Sequence, residues 1–313
     1  MKHLFVPLLL LLGLHASAQQ SPAKLTIELR YLLALPEGYD ADTSRRWPLL
    51  IFLHGSGERG MDLEKVKMHG PPKLVEAGKK YPLIVVSPQS DQGGWDPGML
   101  HKLLLDLKKN HRVDADRVYL TGLSMGGFGS WEFASRYPNE LAALAPICGG
   151  GQPETAWKMR YVPVWCFHGA KDNVVQLSAS ARMIDALKPY QPGVKFTVYP
   201  EAGHDSWTET YNNDSLYTWL LAQRRHRFRQ VDVDAGKLGK LAGRYVRSGS
   251  NDTVVVTAIA NGLQLSAGQH RESVKAASET LFFWDENAPV DMIFNKEGFL
   301  LRAWEQEQYR KVK

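Results

Sequence analysis

Gly122-Leu123-Ser124-Met125-Gly126 sets a serine between two glycines. The β-prone run Val118-Tyr119-Leu120 precedes it, and a small-residue, helix-compatible stretch follows and closes at Pro138. A hydroxyl is a poor nucleophile until a base removes its proton. A strained strand-to-helix turn lifts such a hydroxyl clear of the sheet, and flanking side chains would collide there, so glycine is required. The turn also aims the first amides of the helix at the space where an oxyanion would form. His204, preceded by Gly203, is the candidate base. Asp172 is the candidate carboxylate that orients it. Asp205 and Glu201 are rival acids. Asp205 is adjacent to the histidine in sequence and reaches its far nitrogen awkwardly, and Glu201 follows the wrong strand.

The oxyanion donors are expected to be two backbone amides, Met125 after the nucleophile and Ser56 in the loop His54-Gly55-Ser56-Gly57-Glu58-Arg59-Gly60. Glu58 and Arg59 serve equally as substrate contacts or as an ion pair shaping that loop. Trp95 and Trp207 serve equally as an acyl or sugar subsite and as packing. His54 and His168 each precede a glycine at a strand end and brace backbone. His69, His101, His111, His226 and His270 lie in surface-like segments. Nothing implies a metal or a cofactor, because neither H-E-x-x-H nor a cysteine–histidine ligand cluster is present.

The elements that must position these residues alternate. Trp47–Leu53, Leu83–Ser87, Val118–Leu120, Ala142–Ile147, Val162–Phe167 and Val194–Tyr199 are apolar runs of strand length. An edge strand is expected over 25–35. Helices are expected from Pro71 to Ala77, over 100–107, after Ser124, over 178–187, and over 215–225 with Asp214 as N-cap. Such alternation predicts an α/β fold with a mostly parallel sheet. Ligands bind at the carboxyl ends of such strands, and Ser56, Ser124, Asp172 and His204 each follow one.

This order, Ser…Asp…His with G-x-S-x-G on an elbow, resembles the α/β-hydrolase superfamily over about residues 25–225. Together with H-G-S-G-E-R-G it is similar to secreted carboxylesterases and dienelactone-hydrolase or prolyl-oligopeptidase-like members, including feruloyl esterases and polyhydroxybutyrate-depolymerase-like enzymes. The resemblance implies a serine that is acylated and then deacylated by water. Its substrate would be a small-molecule or polysaccharide-linked ester. A prolyl-oligopeptidase-like peptidase shares the triad, but no repeated propeller blades precede residue 25. A non-catalytic binding protein would have no need of Ser124, Asp172 and His204 together.

Near Arg229 the pattern changes, and no further helix is expected. Thr253–Ala260 meets Leu263–Ser266 through Asn261-Gly262, a strong hairpin signal. Leu281–Trp284, Met292–Phe294 and Phe299–Trp304 are further short strands. The expected organisation is a catalytic domain over 19–228, a linker over 229–236 and a small antiparallel β domain over 237–313. That last domain resembles, by pattern alone, those found behind secreted hydrolases and penicillin-binding-protein-like enzymes. Its aromatics are assigned to a core.

Lys2 and His3, the apolar run 4–14 and Ala16-Ser17-Ala18 form a secretory signal peptide over 1–18. No cysteine follows it, so no lipid anchor is expected, and the protein is expected to be secreted or periplasmic. Cys148 and Cys166 sit in neighbouring core runs, and the unpaired state is favoured over the disulfide that export would permit. With 38 basic and 33 acidic residues the formal charge is +5. That is too mild to call for nucleic acid. The basic run 224–229 is read as a helix end and linker.

Overall fold

The computed structural model describes Pro22 and residues 28–312. The expected signal peptide, and residues 25–27 of the expected edge strand, lie outside the described residues. Among those described, no helix is long and apolar enough to cross a membrane.

A seven-stranded sheet has the order β1-β3-β2-β4-β5-β6-β7. Its strands are β1 (Tyr31–Ala34), β2 (Trp47–Leu53), β3 (Ile84–Pro88), β4 (Val113–Leu123), β5 (Ala143–Ile147), β6 (Trp165–Gly169) and β7 (Lys195–Tyr199). Only the edge strand β1 runs antiparallel. Every residue of β2, β3 and β5 is buried, which is why their sequences are continuous apolar runs rather than alternating ones. Leu49, Ile51 and Leu53 face one apolar layer, and Leu50 and Phe52 face the other. The first layer packs on α2 (Pro97–Asn110), α3 (Met125–Arg136) and α4 (Ser178–Leu187). The second packs on α1 (Gly70–Glu76), α5 (Trp207–Asn212) and α6 (Asp214–Ala222).

Two helix details differ from expectation. Asn213, not Asp214, caps α6, its side chain accepting from the Ser215 amide. The short α5 sits inside a stretch expected to be loop. It has six residues, too few to show a helical period.

The chain reverses its direction of travel across the sheet between β2 and β4. Such a switch point leaves a crevice at the carboxyl ends of the two strands. Leu53 pairs with Gly122 there, so the loop after β2 and the loop after β4 emerge side by side.

Residues 223–234 carry no helix or strand. The helix α7 (Ala235–Leu241) follows, in a stretch expected to hold none. Asp234 caps it through the Gly236 and Lys237 amides. Two glycines in seven residues hide it from a propensity reading. Eight antiparallel strands then close into a barrel, ordered β10-β11-β12-β13-β14-β15-β8-β9. They are β8 (Gly243–Arg247), β9 (Thr253–Ile259), β10 (Gly262–Ala267), β11 (His270–Ala276), β12 (Leu281–Phe283), β13 (Asp291–Phe294), β14 (Gly298–Arg302) and β15 (Gln306–Val312). Tyr245, Leu263, Phe282, Met292 and Phe299 are buried in its core, with Leu238 of α7 packed among them. A small barrel filled by side chains is a packed core rather than a ligand cup.

The barrel meets the α/β unit at the amino-terminal edge of the parallel sheet. Arg160 and Tyr161, just before β6, bond to Asp291. Arg225 reaches Asn287, Phe228 stacks on Phe283 at 4.9 Å, and Gln306 donates to Tyr190, which precedes β7. The basic run 224–229 belongs to this joint, because Arg225 and Arg227 both pair with Asp116.

Candidate active site

Ser124 links β4 to α3 with φ 50° and ψ −115°, a conformation that L-residues rarely adopt. Its own amide donates to the Ile147 carbonyl, and its carbonyl accepts from Phe128. Crowding explains the flanking glycines. A Cβ on Gly122 would meet the Gly126 backbone, and one on Gly126 would meet the Leu53 carbonyl. The helix therefore starts pressed against the end of β2, with the Met125 amide in its first turn. Ser56, which is exposed, opens a 3₁₀ turn over Ser56–Glu58 in the loop after β2.

His204 Nε2 lies 3.0 Å from Ser124 Oγ, and His204 Nδ1 lies 2.8 Å from Asp172 Oδ2. The loops after β6 and β7 meet because Gly169 has no side chain. A Cβ there would strike the Gly203 and Ala202 carbonyls. Asp172 Oδ1 accepts from the Val174 and Val175 amides. Burial pushes the Asp172 carboxyl up, but the bonds from His204, Val175 and Val174 outweigh it and hold the group below the usual range. The rivals point elsewhere: Asp205 accepts from Thr208, and Glu201 pairs with Lys171. The chain hydroxyl–imidazole–carboxylate has the geometry by which a base activates a hydroxyl.

The loop after β2 is braced from beneath. The Ser90 amide donates to His54 Nε2, so Nδ1 carries the proton and donates to the Gly55 carbonyl at 2.6 Å. His54 is buried, and burial lowers its pKa. Arg59 donates to the Ser56 carbonyl. Glu58 is buried and its carboxylate faces the His69 ring at 3.7 Å, while Arg59 turns to the Ser56 carbonyl rather than to Glu58.

The two tryptophans separate. Trp95 is 7% exposed, its indole donating to the His54 carbonyl and its ring packed on Gly129, which is a packing position. Trp207 stands edge-on to His204 at 5.2 Å and to His69 at 5.4 Å. Phe128 and Val174 are exposed apolar side chains on α3 and on the loop that carries Asp172.

Both cysteines are free and buried. Cys148, at the end of β5 with φ 40°, brings a sulfur to within 4.8 Å of donor atoms of Asp172 and His204. Burial pushes its thiol up to about 12. A thiol held protonated, beside an acid and an imidazole already bonded to each other, does not make a ready metal site.

Sequence reasoning passed over one neighbour of the site. His168 was read only as a backbone brace, yet its Nε2 lies 3.3 Å from Asp172 Oδ2. The available signal was the spacing His168-Gly169-x-x-Asp172 at the end of one strand.

Residues 97–219 match the model of the dienelactone hydrolase family. A bifunctional acetylxylan esterase/xylanase of Neocallimastix patriciarum is 28% identical over 185 residues, which are 55% of this chain and 26% of that one. Poly(3-hydroxyalkanoate) depolymerase C of Paucimonas lemoignei is 31% identical over 134 residues, 37% of this chain and 30% of that one. The crystal structure of a thermostable esterase is similar at a TM-score of 0.56 and 30% identity, covering 64% of this chain and 60% of that chain. The chain thus spans under a third of the length of these two curated relatives.

Proposed function

We propose, from the premise that the chain belongs with the carboxylesterase-like serine hydrolases of the α/β-hydrolase superfamily, that it is a secreted serine carboxylic-ester hydrolase working through an acyl-enzyme. The observation that carries this reading is the unbroken chain from Ser124 Oγ through His204 to Asp172.

In the first half-reaction His204 Nε2 takes the Ser124 proton as Oγ attacks the ester carbonyl. The Met125 and Ser56 amides receive the oxyanion. Asp172 holds His204 with Nδ1 protonated and stabilises the imidazolium. His204 then returns the proton to the departing alcohol. Water, activated by the same imidazole, releases the acid in the second half-reaction.

The substrates are carbohydrate-linked or other bulky esters. Exposed Phe128 and Val174 flank the site, and the barrel stands at the far edge of the sheet, where it does not cover Ser124. The relatives named above for acetylxylan and polyhydroxyalkanoate point the same way. Trp207, edge-on to His204, is the aromatic wall for the acyl or sugar group. Residues 1–18 direct export.

The test is initial rates of residues 19–313 on short and long p-nitrophenyl esters, methyl ferulate, acetylated xylan and a prolyl peptide anilide, with Ser124→Ala as control. Ester turnover lost in Ser124→Ala is the expected result. Peptide cleavage without ester preference, or ester turnover that survives in Ser124→Ala, refutes the proposal.

A further inference from the structure

We propose that His168 is a positioning residue for this reaction: a second imidazole on the Asp172 carboxylate, opposite the one that works on Ser124. The inference rests on the triad reading above and adds a residue to it.

A carboxylate offers about four lone-pair directions, and the Asp172 side chain is fully buried. Two directions on Oδ1 are filled by the Val174 and Val175 amides, each at 2.9 Å. His204 Nδ1 takes one on Oδ2 at 2.8 Å. His168 Nε2 stands at the other, 3.3 Å from Oδ2, and 2.9 Å from the Val175 carbonyl. Both neighbours of that nitrogen are acceptors without a hydrogen, so Nε2 carries a proton and shares it between them. The vacant alternative would be a buried, unsatisfied carboxylate lone pair.

The other side of the ring is fixed as well. His168 Nδ1 lies 2.7 Å from Ser180 Oγ on α4, and the single hydroxyl proton of Ser180 stands between that nitrogen and the Gly149 carbonyl, also 2.7 Å away. His168 and Ser180 are completely buried. Gly149 packs directly on Gly127 in the first turn of α3. The chain that begins at Ser124 therefore passes through His204, Asp172, His168 and Ser180, and returns to the helix that starts at Ser124. Turning the carboxylate away from His204 would break contacts on every side of it. The His168 N–H also withdraws charge from Oδ2, the oxygen that holds His204, and so tempers its pull on the imidazolium. His168 touches no substrate, and its effect passes through Asp172.

The test compares His168→Leu, which has no donor, with His168→Gln, whose amide N–H can reach Oδ2. Both are assayed on p-nitrophenyl acetate from acid to neutral pH, with circular dichroism to show folding. The titrating groups that face the carboxylate are His204 from the loop after β7, His168 on β6 and the Cys148 thiol at the end of β5. The Cys166 thiol faces Ser180. Both thiols are pushed up to about 12 by burial, so neither loses its proton across this range. The expected loss in kcat for His168→Leu is roughly 10- to 100-fold at constant KM, the scale seen for outer partners of metal-bound histidines. Its acidic limb should move to higher pH, because an unshared Oδ2 stabilises the His204 imidazolium more strongly. His168→Gln should recover most of both.

A folded His168→Leu with the wild-type rate and limb overturns the proposal, as does His168→Gln failing equally. Nitrogen-15 NMR of the unaltered protein decides the matter where His168→Leu does not fold. A proton held on His168 Nε2 supports the proposal, and a bare Nε2 overturns it. Ser124→Ala with full turnover would remove the underlying esterase reading. Ser124-dependent turnover with an indifferent His168→Leu removes this inference alone.

Discussion

Replacing Asp291 by alanine should loosen the barrel from the catalytic domain while leaving ester cleavage intact. Asp291 is fully buried and takes four bonds. Arg160 Nε and Nη2 reach Oδ2 at 3.1 and 3.0 Å, the Tyr161 hydroxyl reaches it at 2.6 Å, and Arg302 Nε reaches Oδ1 at 2.6 Å. Removing the one acid strands two guanidinium groups whose side chains are 2% and 11% exposed. Breaking a buried pair from one side costs about 3–5 kcal/mol, because the partner keeps its desolvation penalty and loses its attraction. Arg160 retains the Trp157 and Pro289 carbonyls, which places the expected cost toward the lower end, about 3 kcal/mol. Urea unfolding followed by tryptophan fluorescence should show an earlier midpoint, and the transition can split into two steps once the joint fails. p-Nitrophenyl acetate turnover, measured below that transition, should match the parent protein, because the network lies at the sheet edge opposite Ser124. An unmoved midpoint would refute the energetic reasoning. A large fall in kcat in the folded variant would refute the spatial reasoning.

Asp172→Asn should keep the fold, since the Oδ1 bonds from Val174 and Val175 can survive, yet lower kcat about 10⁴-fold by favouring the wrong His204 tautomer. Single-turnover rates would measure this, and a loss under tenfold would count against the orienting role. Stability should decline with acid in two stages. The lowered His54 binds its proton less readily folded than unfolded, so its neutral folded form is at full advantage above its ordinary value of 6.5 and loses ground as pH falls below it. The depressed Asp172, Asp116 and Glu140 carboxyls stabilise above their ordinary values of 3.8, 3.8 and 4.5, and that contribution is lost as pH falls through their lower folded values. Urea midpoints from pH 8 to 2 test this, and a flat curve contradicts it. Cys148 and Cys166, buried and with thiols pushed up to about 12, should resist a thiol reagent in the native state and react at two sites per chain in denaturant. Fast native labelling would contradict their burial.

The parallel sheet was most legible in β2, β3 and β5, whose residues are buried on both faces. Trp47–Leu53 is apolar throughout, and β2 occupies those residues. The barrel was only half legible for the complementary reason. Its strands have one inward face, and three of them carry few apolar residues to mark it. In His270–Ala276 only Val274 and Ala276 are buried, and in Gln306–Val312 only Tyr309. Gly243–Arg247 buries Tyr245 alone. Closure adds a second obscurity, since β8 pairs with β15 across more than sixty intervening residues and no local signal reports that register. The Asn261-Gly262 hairpin was visible because its signal is local. Asn261 takes φ 62°, a conformation asparagine tolerates better than most residues.

His168 was missed for a different reason. Its role depends on a contact four residues along the chain, past a loop that turns back on itself. A histidine at the end of a buried strand, followed by glycine, reads the same whether it braces a carbonyl or a carboxylate, and His168 Nε2 does both. The same loop explains why Asp172, rather than the nearer Asp205, completes the chain. Asp205 accepts from the Thr208 amide and hydroxyl, three residues ahead in its own loop. Asp172 approaches from another strand, where Gly169 lets the two loops touch. A carboxylate brought in from a second element reaches the imidazole nitrogen remote from the serine. That separation lets one ring contact the acid and the hydroxyl at once, and it is set by the spacing of β6 and β7 rather than by either loop alone.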